Sequence, residues 1–526
     1  MKYLMFITLF FIFNLFANPS LVIITMADLH GQVEPVYELN DNKIEERGGF
    51  SRISTIIQSI KRKYPDSIVT MQGDYLLEDF QNGKYFSRYK GKAIFPLMNN
   101  LQIDIATLGN HEFDYGINPL LEALQYRFFP LVLTNMSFMS NNPKDCFEHF
   151  IIQKNGYKIG FMGLMTPSLL KYQKIGIDID QVQIDPNFIE SAKKTISNLK
   201  NEKVDFIVVL SHLGLENDKK LGREVSEIDI ILGGHSHNIT NKEIIIDHPN
   251  NKTLIVHTGD FGKHIGLLKI FKKDGKKKYF WKLIKIDKKI KKNPSMEEMI
   301  NKLKNQLTLN SKVKTKCTSI LDSRKHIVRS QEATIGNLIT DIFKNTFKTD
   351  IALISGDSIR GNKIIIPGNI TDNDIDALFL FKDFYLVKVK GKYLKKTLEL
   401  SISETPQKSY NFWQVSGIKF RFDPSKQQML LKQNNKRQFE ESQKGKRIQQ
   451  IEIKQKDGSF EELDDEKEYS IIFNSSLIPI ERDFFLKKYC SQIEKTEISH
   501  KEIIINYLKN KDFIAPRIEG RIVSSF

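Results

Sequence analysis

The sequence predicts an α/β protein built from an amino-terminal α/β layered domain, a connector helix and a second α/β domain. Three observations carry this. Apolar runs of strand length alternate with helical patterns from Leu21 onward. A helical stretch that is polar on one side comes next, at 295–314. Alternation then resumes near Lys325. A chain of 526 residues has material for about two to four domains with large cores.

Taken in order, the chain opens on "MKYLMFITLFFIFNLFANPS", one lysine, a short apolar stretch and then Ala17-Asn18-Pro19. This is the layout of a secretory signal peptide over residues 1–18, with cleavage near Ala17. The apolar part is short for a membrane span, and no cysteine comes directly after it. An exported, periplasmic or cell-surface protein without stable membrane insertion is expected, with an uncleaved anchor as the alternative. The first domain is expected at 19–292. "LVIITM" (21–26), "SIVTMQ" (67–72), "IDIATL" (103–108), "YKIGFMGL" (157–164), "FIVVLS" (206–211) and "IDIILGG" (228–234) read as strands. "SRISTIIQSIKRK" (51–63) and "NPLLEALQY" have helical periodicity, and "LLKIFKKDGKKKYFWKLIKI" (267–286) reads as a hairpin turning at Asp274-Gly275. The connector is placed at 293–324 and the second domain at 325–526. Its segments "ATIGNLITDIFKNTF", "DIALISG" and "FYLVKVKGKYLKKTLELSI" again alternate. The Lys-, Gln- and Asn-rich stretch 424–447 reads as a loop insertion.

Composition excludes more than it assigns. The net charge is +16, yet the lysines are scattered and no basic–aromatic motif accompanies them, so no nucleic-acid partner is expected. Cys146, Cys317 and Cys490 lie far apart, cannot all pair and fit no zinc spacing. They read as buried or incidental thiols. Oligomeric state is not readable.

The informative feature is the polar residue set placed directly after each strand. After "LVIITMA" come Asp28 and His30, after "SIVTMQG" Asp74, after "IDIATLG" Asn110 and His111, after "FIVVLS" His212, and after "IDIILGG" His235 and His237. Carboxyl ends of strands are where open α/β sheets gather their sites. Asp28 and His30 are two apart, as are His235 and His237, so in extended segments each pair points the same way. Two carboxylates, an amide and imidazoles, without a thiolate, are too many ligands for one first-row ion but suit two. A shared carboxylate would set the ions roughly 3.5–4 Å apart. This donor mixture suits Zn, Mn, Fe or Co rather than Mg or Ca.

The blocks "ADLHG", "GD", "GNHEFD", "SHLG" and "GGHSH" resemble the signatures of the calcineurin-like metallophosphoesterases, and among them the 5′-nucleotidase / UDP-sugar hydrolase family. "ERGGFSRIST", "IGNLITDIF", "SGDSIRGN", "NFWQVSGIKFRFDP" and "IEGRI" extend the resemblance over essentially the whole mature chain. It implies a four-layer α/β/β/α metallophosphoesterase sandwich succeeded by a substrate-binding α/β domain. It implies two divalent metal ions, with Asp28, His30 and His237 holding one, Asn110, His212 and His235 the other, and Asp74 bridging. His111 and Asp114 would form the catalytic dyad. Arg360, Phe412, Gln414, Asp483 and Phe484 would bind substrate. The activity implied is removal of the 5′-phosphate of nucleotides. Hydrolysis of UDP-sugars, 2′,3′-cyclic nucleotides or a non-nucleotide phosphoester is the alternative, and a catalytically weak surface binding protein is the alternative class. The carboxyl-terminal domain departs from the family. Its turn before Arg360 reads Ser355-Gly356-Asp357-Ser358-Ile359, and the usual Pro-Phe is Leu380-Phe381. The second base-stacking aromatic falls near Ser476, leaving Phe412, with Trp413 or Phe484 to compensate. One missing ring would weaken stacking by roughly 1–3 kcal/mol. The Asp74 loop, "GDYLLEDF", also lacks the small residues usual there.

Overall fold

The apolar run after the expected leader forms the first strand, Ser20–Met26, in a computed structural model that describes residues 20–40, 43–76, 93–139, 143–171, 178–308, 311–313, 315–379, 383–433, 439–475 and 481–525. The expected signal peptide lies outside the described residues. So do Leu380-Phe381, Ser476 and positions 77–80 of the Asp74 loop. The chain divides into two units, one of Met1–Val36 and Lys43–Asn305, the other of Tyr37–Asn42 and Gln306–Phe526.

The first unit holds two sheets. In the seven-stranded sheet, Ser20–Met26, Ile68–Gln72, Ile105–Thr107, Leu131–Val132 and Cys146–Phe147 run parallel in that order. The hairpin His264–Lys273 / Lys276–Lys285 adds to it antiparallel. In the six-stranded sheet, Lys252–His257, Ile230–Gly233, Phe206–His212 and Tyr157–Met165 are parallel, and Ile244–Asp247 and His149–Lys154 close its edges antiparallel.

Strand alternation builds the layers. Leu21, Ile23, Ile68 and Ile105 of one sheet share a core with Phe161, Val208, Leu210, Ile230 and Val256 of the other. The opposite parity of the second sheet, Met162, Ile207, Val209 and Ile231, packs on Ile189, Ala192, Ile196 and Leu199 of the helix Phe188–Asn201. The opposite parity of the first sheet, Val22, Ile24, Val69 and Met71, is also buried. Helices Phe50–Lys63, Ile94–Asn100 and Ile117–Leu124 each bury an apolar face in the same unit. The result is the four-layer α/β/β/α sandwich.

The helix expected over 295–314 runs Pro294–Thr308. In the second unit a five-stranded sheet takes the order Trp413–Ser416, Ile351–Ser355, Glu468–Ser475, Asp383–Lys390, Cys490–Thr496. Helix Thr334–Phe347 covers one face through Ile335, Ile339 and Phe343. Helix Gly391–Ser401 covers the other through Leu394 and Leu398.

Two expectations are corrected. The stretch 424–447 is not simply a loop: Leu430–Gln433 and Phe439–Gln443 pair antiparallel. The strand expected at 103–108 is confined to Ile105–Thr107, because Asp104 turns its carboxylate to the Val69 amide and to Lys61 and Lys154. All three cysteines are free thiols. Among the described residues no helix is long and apolar enough to cross a membrane.

Candidate metal centre

Parallel registry brings the carboxyl ends of the strands level. Met26 pairs with Met71 and Gln72 with Thr107 in one sheet, and Ser211 with Gly233 in the other. The chain leaves these ends through left-handed backbone rather than through the extended segments expected from sequence. Asp28, His30, Asp74, His235 and His237 have φ of 52°, 47°, 48°, 76° and 56°. Left-handed residues tighten each turn, at alternate positions in Asp28/His30 and His235/His237 and consecutively in Gly73-Asp74. The turns are tied by Asp28 N–H to the Gly73 carbonyl at 3.2 Å and His30 N–H to the Asp74 carbonyl at 2.8 Å. Asp28 Oδ1 accepts the His235 amide at 2.9 Å, and Asp74 Oδ1 accepts the His111 amide at 2.9 Å.

Two groups result. Asp28, His30 and His237 form one, and Asp74, His212 and His235 the other, each with its ligand-type atoms within 4.8 Å of one another. In the first, His30 Nε2 and His237 Nε2 are 2.9 Å apart, and His237 Nε2 is 3.7 Å from Asp28 Oδ1. In the second, His212 Nε2 is 3.1 Å from Asp74 Oδ2. His212 Nδ1 donates to the Gln72 carbonyl at 2.7 Å, which fixes the tautomer and turns Nε2 inward. Asn110 is buried in the loop beside Asp74.

Asp28, His30, Asp74 and His212 are buried, and the site is crowded with ionisable groups. Burial, reinforced by Asp74, pushes Asp28 up to about 7. Burial would raise Asp74 too, but the His212 and His111 imidazoles outweigh it and hold that carboxyl well below its usual range. Burial would lower His212, but Asp74 overrides it and carries the imidazole up to about 9. His235 falls to about 4 through burial and the neighbouring His212, and burial holds His30 well below its usual value. Once His212 gives up the proton that Asp74 favours, buried carboxylates and imidazoles with inward nitrogens form the donor set of a divalent cation. Two glycines make room for that set. A Cβ on Gly109 would lie 2.1 Å from Asp74 Oδ1 and 2.7 Å from His212 Cε1. One on Gly73 would lie 2.7 Å from His212 Nδ1. The residues therefore fit two metal ions.

His111 and Asp114 sit alongside. A single 3-10 turn, His111–Phe113, places His111 Nδ1 2.8 Å from Asp114 Oδ2. The His111 and His30 ring centroids are 5.4 Å apart. Reading by motif gave no role to Glu112, yet its carboxylate accepts the amides of Asp74 and Leu76 at 2.8 Å and of Gly109 at 2.6 Å. It clamps the Asp74 and Asn110 loops together. Burial beside Asp74 pushes Glu112 up to about 7, against backbone donors that favour its charged form. Its place inside "GNHEFD" was the only signal available.

The substrate-binding candidates of the second unit are placed differently. Phe412 is fully buried in the core with Trp413, Val415 and Phe473. Gln414 is a backbone brace, donating to the Val328 and Gln331 carbonyls at 2.9 and 2.7 Å and accepting the Ala333 amide at 3.0 Å. Asp483 is buried between Ser475, Lys487 and Arg482. Phe484 is half-buried against Phe439, Phe485 and Tyr489. Arg360 is half-buried just past the strand Ile351–Ser355. Two further arginines gather near that strand end. Arg482 meets Ser355 Oγ at 2.5 Å and lies over the Trp413 ring, and Arg329 pairs with Asp357 at 2.6 Å.

A family model of calcineurin-like phosphoesterases matches residues 21–238, and one of the 5′-nucleotidase C-terminal domain matches residues 312–481. The chain is similar to the 5′-nucleotidase of Homo sapiens, 26% identical over 96% of this chain and 90% of that protein. It is similar to the snake venom 5′-nucleotidase of Naja atra, 25% identical over 96% of this chain and 99% of that one. Among solved structures it is similar to a 5′-nucleotidase precursor from Thermus thermophilus, with a TM-score of 0.63 and 26% identity over 96% of this chain and 99% of that one. With both units matched in this way and a donor set that fits divalent cations, the chain belongs to the calcineurin-like phosphoesterases that carry a 5′-nucleotidase C-terminal domain, and is a metal-dependent phosphoester hydrolase.

Proposed function

We propose that the chain is an exported dinuclear phosphohydrolase that removes the 5′-phosphate of nucleotides. The observation that carries this reading is the pair of three-residue groups at facing strand ends with His111–Asp114 beside them. Asp28, His30 and His237 would hold one ion and Asn110, His212 and His235 the other, with Asp74 placed to serve both. Imidazole and oxygen donors without thiolate favour zinc, manganese or cobalt. Two such ions, when bound, supply a water of lowered pKa and neutralise phosphoryl oxygens. His111 meets the phosphoryl group. As imidazolium it stabilises charge building there and protonates the leaving ester oxygen. Asp114 orients the ring through Nδ1 and favours its charged form, so proton delivery falls to Nε2. His111→Ala is expected to retain metal while kcat falls at least about a hundredfold. Asp74→Asn is expected to lose metal affinity instead. Full activity in His111→Ala would overturn the assignment.

The burial of Phe412 supports a second reading, a phosphoester whose recognition does not need base stacking on that ring. Rates on AMP, ATP, UDP-glucose, cyclic nucleotides and an aryl phosphate, each with Mn, Co and Zn, separate the two. A preference for AMP over the aryl phosphate favours the nucleotidase. Export is supported by the leader-like composition of residues 1–18 and by a relative found in venom. Sequencing the mature amino terminus checks it: a start near Asn18 is expected, and a retained Met1 would count against cleavage.

A further inference from the structure

The loop after the strand Lys252–His257 embraces one of the two groups. Its residues are Thr258-Gly259-Asp260-Phe261-Gly262-Lys263. The Gly259 amide donates to the Asn238 carbonyl at 2.9 Å, next to His237, and the Phe261 amide donates to the Asp28 carbonyl at 2.8 Å. The Phe261 ring packs against His30 and His237 at centroid distances of 5.6 and 6.3 Å. Between these anchors lies Asp260, 15% exposed, with Oδ2 3.4 Å from His237 Nδ1 and Oδ1 2.6 Å from Lys263 Nζ. His237 thus has a carboxylate behind one ring nitrogen while the other faces His30 and Asp28. The corresponding imidazole of the other group, His212, has the neutral Gln72 carbonyl behind it at 2.7 Å. An anion behind a ligating imidazole fixes the proton on the far nitrogen, orients the ring and raises the basicity of the ligating nitrogen more than a neutral carbonyl does.

We propose that Asp260 is a positioning residue for His237. It holds the Nδ1–H tautomer and so makes the Asp28/His30/His237 group the tighter of the two metal sites. Lys263 anchors the second carboxylate oxygen and keeps Asp260 turned to the ring. This rests on the proposed function, in which both groups bind divalent ions.

The test is titration of the metal-stripped full chain with Co²⁺, monitored by the visible absorption of the bound ion and by competition with a chromophoric chelator. Wild type is expected to take up two ions with separable affinities. Asp260→Asn keeps the shape and removes the charge. Its tighter site is expected to weaken by about 10–100-fold, with an altered absorption band, while the weaker site is unchanged. Asp260→Glu is expected to recover part of that affinity, and Lys263→Ala to lose less of it than Asp260→Asn. Circular dichroism of the metal-free variants guards against misfolding, and a misfolded Asp260→Asn leaves the decision to the Glu and Lys263 variants. Two unchanged affinities in Asp260→Asn, or equal weakening of both sites, would overturn the role of Asp260. A wild-type chain that binds no ion would instead overturn the reading on which it rests.

Discussion

Gly109 decides what the site tolerates. Its chain position needs no unusual backbone, but a methyl group there would collide with the Asp74 carboxylate and the His212 ring. Gly109→Ala is therefore expected to destabilise the protein by about 1–3 kcal/mol, the usual range for overpacking. It is also expected to release metal, since the atom displaced is the carboxylate between the strands. Elemental analysis of the purified variant checks this, and a full metal complement would refute it. The residues that meet at the strand ends were legible in the sequence. Asp28, His30, Asp74, His212, His235 and His237 are polar residues placed directly after apolar runs, where their types stand out. What Glu112 and Asp260 do was not legible. A carboxylate that clamps amides and one that backs an imidazole look alike in a sequence, and only the fold says which neighbours they meet. Phe412 shows the converse, since its motif suggested an exposed ring and the packing buries it.

At the scale of elements, local chemistry and structure agree where the signal is strong. Asp274-Gly275 lies between two runs of ten residues, and the structure closes a hairpin there, with Lys273 opposite Lys276 and φ of 50° and 73° at the two turn residues. A turn with both central residues left-handed matches the twist of the strands it joins. Nothing lies within 4 Å of a Cβ built on Gly275, so Gly275→Ala isolates the conformational cost. A loss of about 1 kcal/mol is expected, read as a fall in Tm of about 2 °C, with metal content unchanged. An unchanged Tm would show that the turn relaxes. The hairpin within 424–447 was hidden because its strands are only four and five residues long and carry few apolar residues, which leaves no apolar alternation to read. Strand order across each sheet was hidden as well. Pairings such as Lys252–His257 against Ile230–Gly233 depend on packing between distant segments, not on either segment alone.

At the scale of the molecule, every residue of the two candidate groups belongs to one unit. Ligands that bind only the folded state stabilise what they bind, by about 2.7 kcal/mol at a hundredfold excess over Kd. Chelation by EDTA is therefore expected to lower the calorimetric transition of the unit containing residues 43–305 and to leave that of the unit containing residues 306–526 in place. A uniform shift of both transitions, or none, would contradict this. The left-handed backbone at Asp28, His30, Asp74, His235 and His237 has a longer-range consequence. Each of these side chains sits where glycine would be more comfortable by about 1–2 kcal/mol. A laboratory selection for heat resistance carried out without metal, where the stabilisation by bound ions is lost, would drift toward glycine at those five sites and discard the donors one by one. Thermal hardening of this scaffold must therefore hold them constant and draw its improvements from distant surface turns.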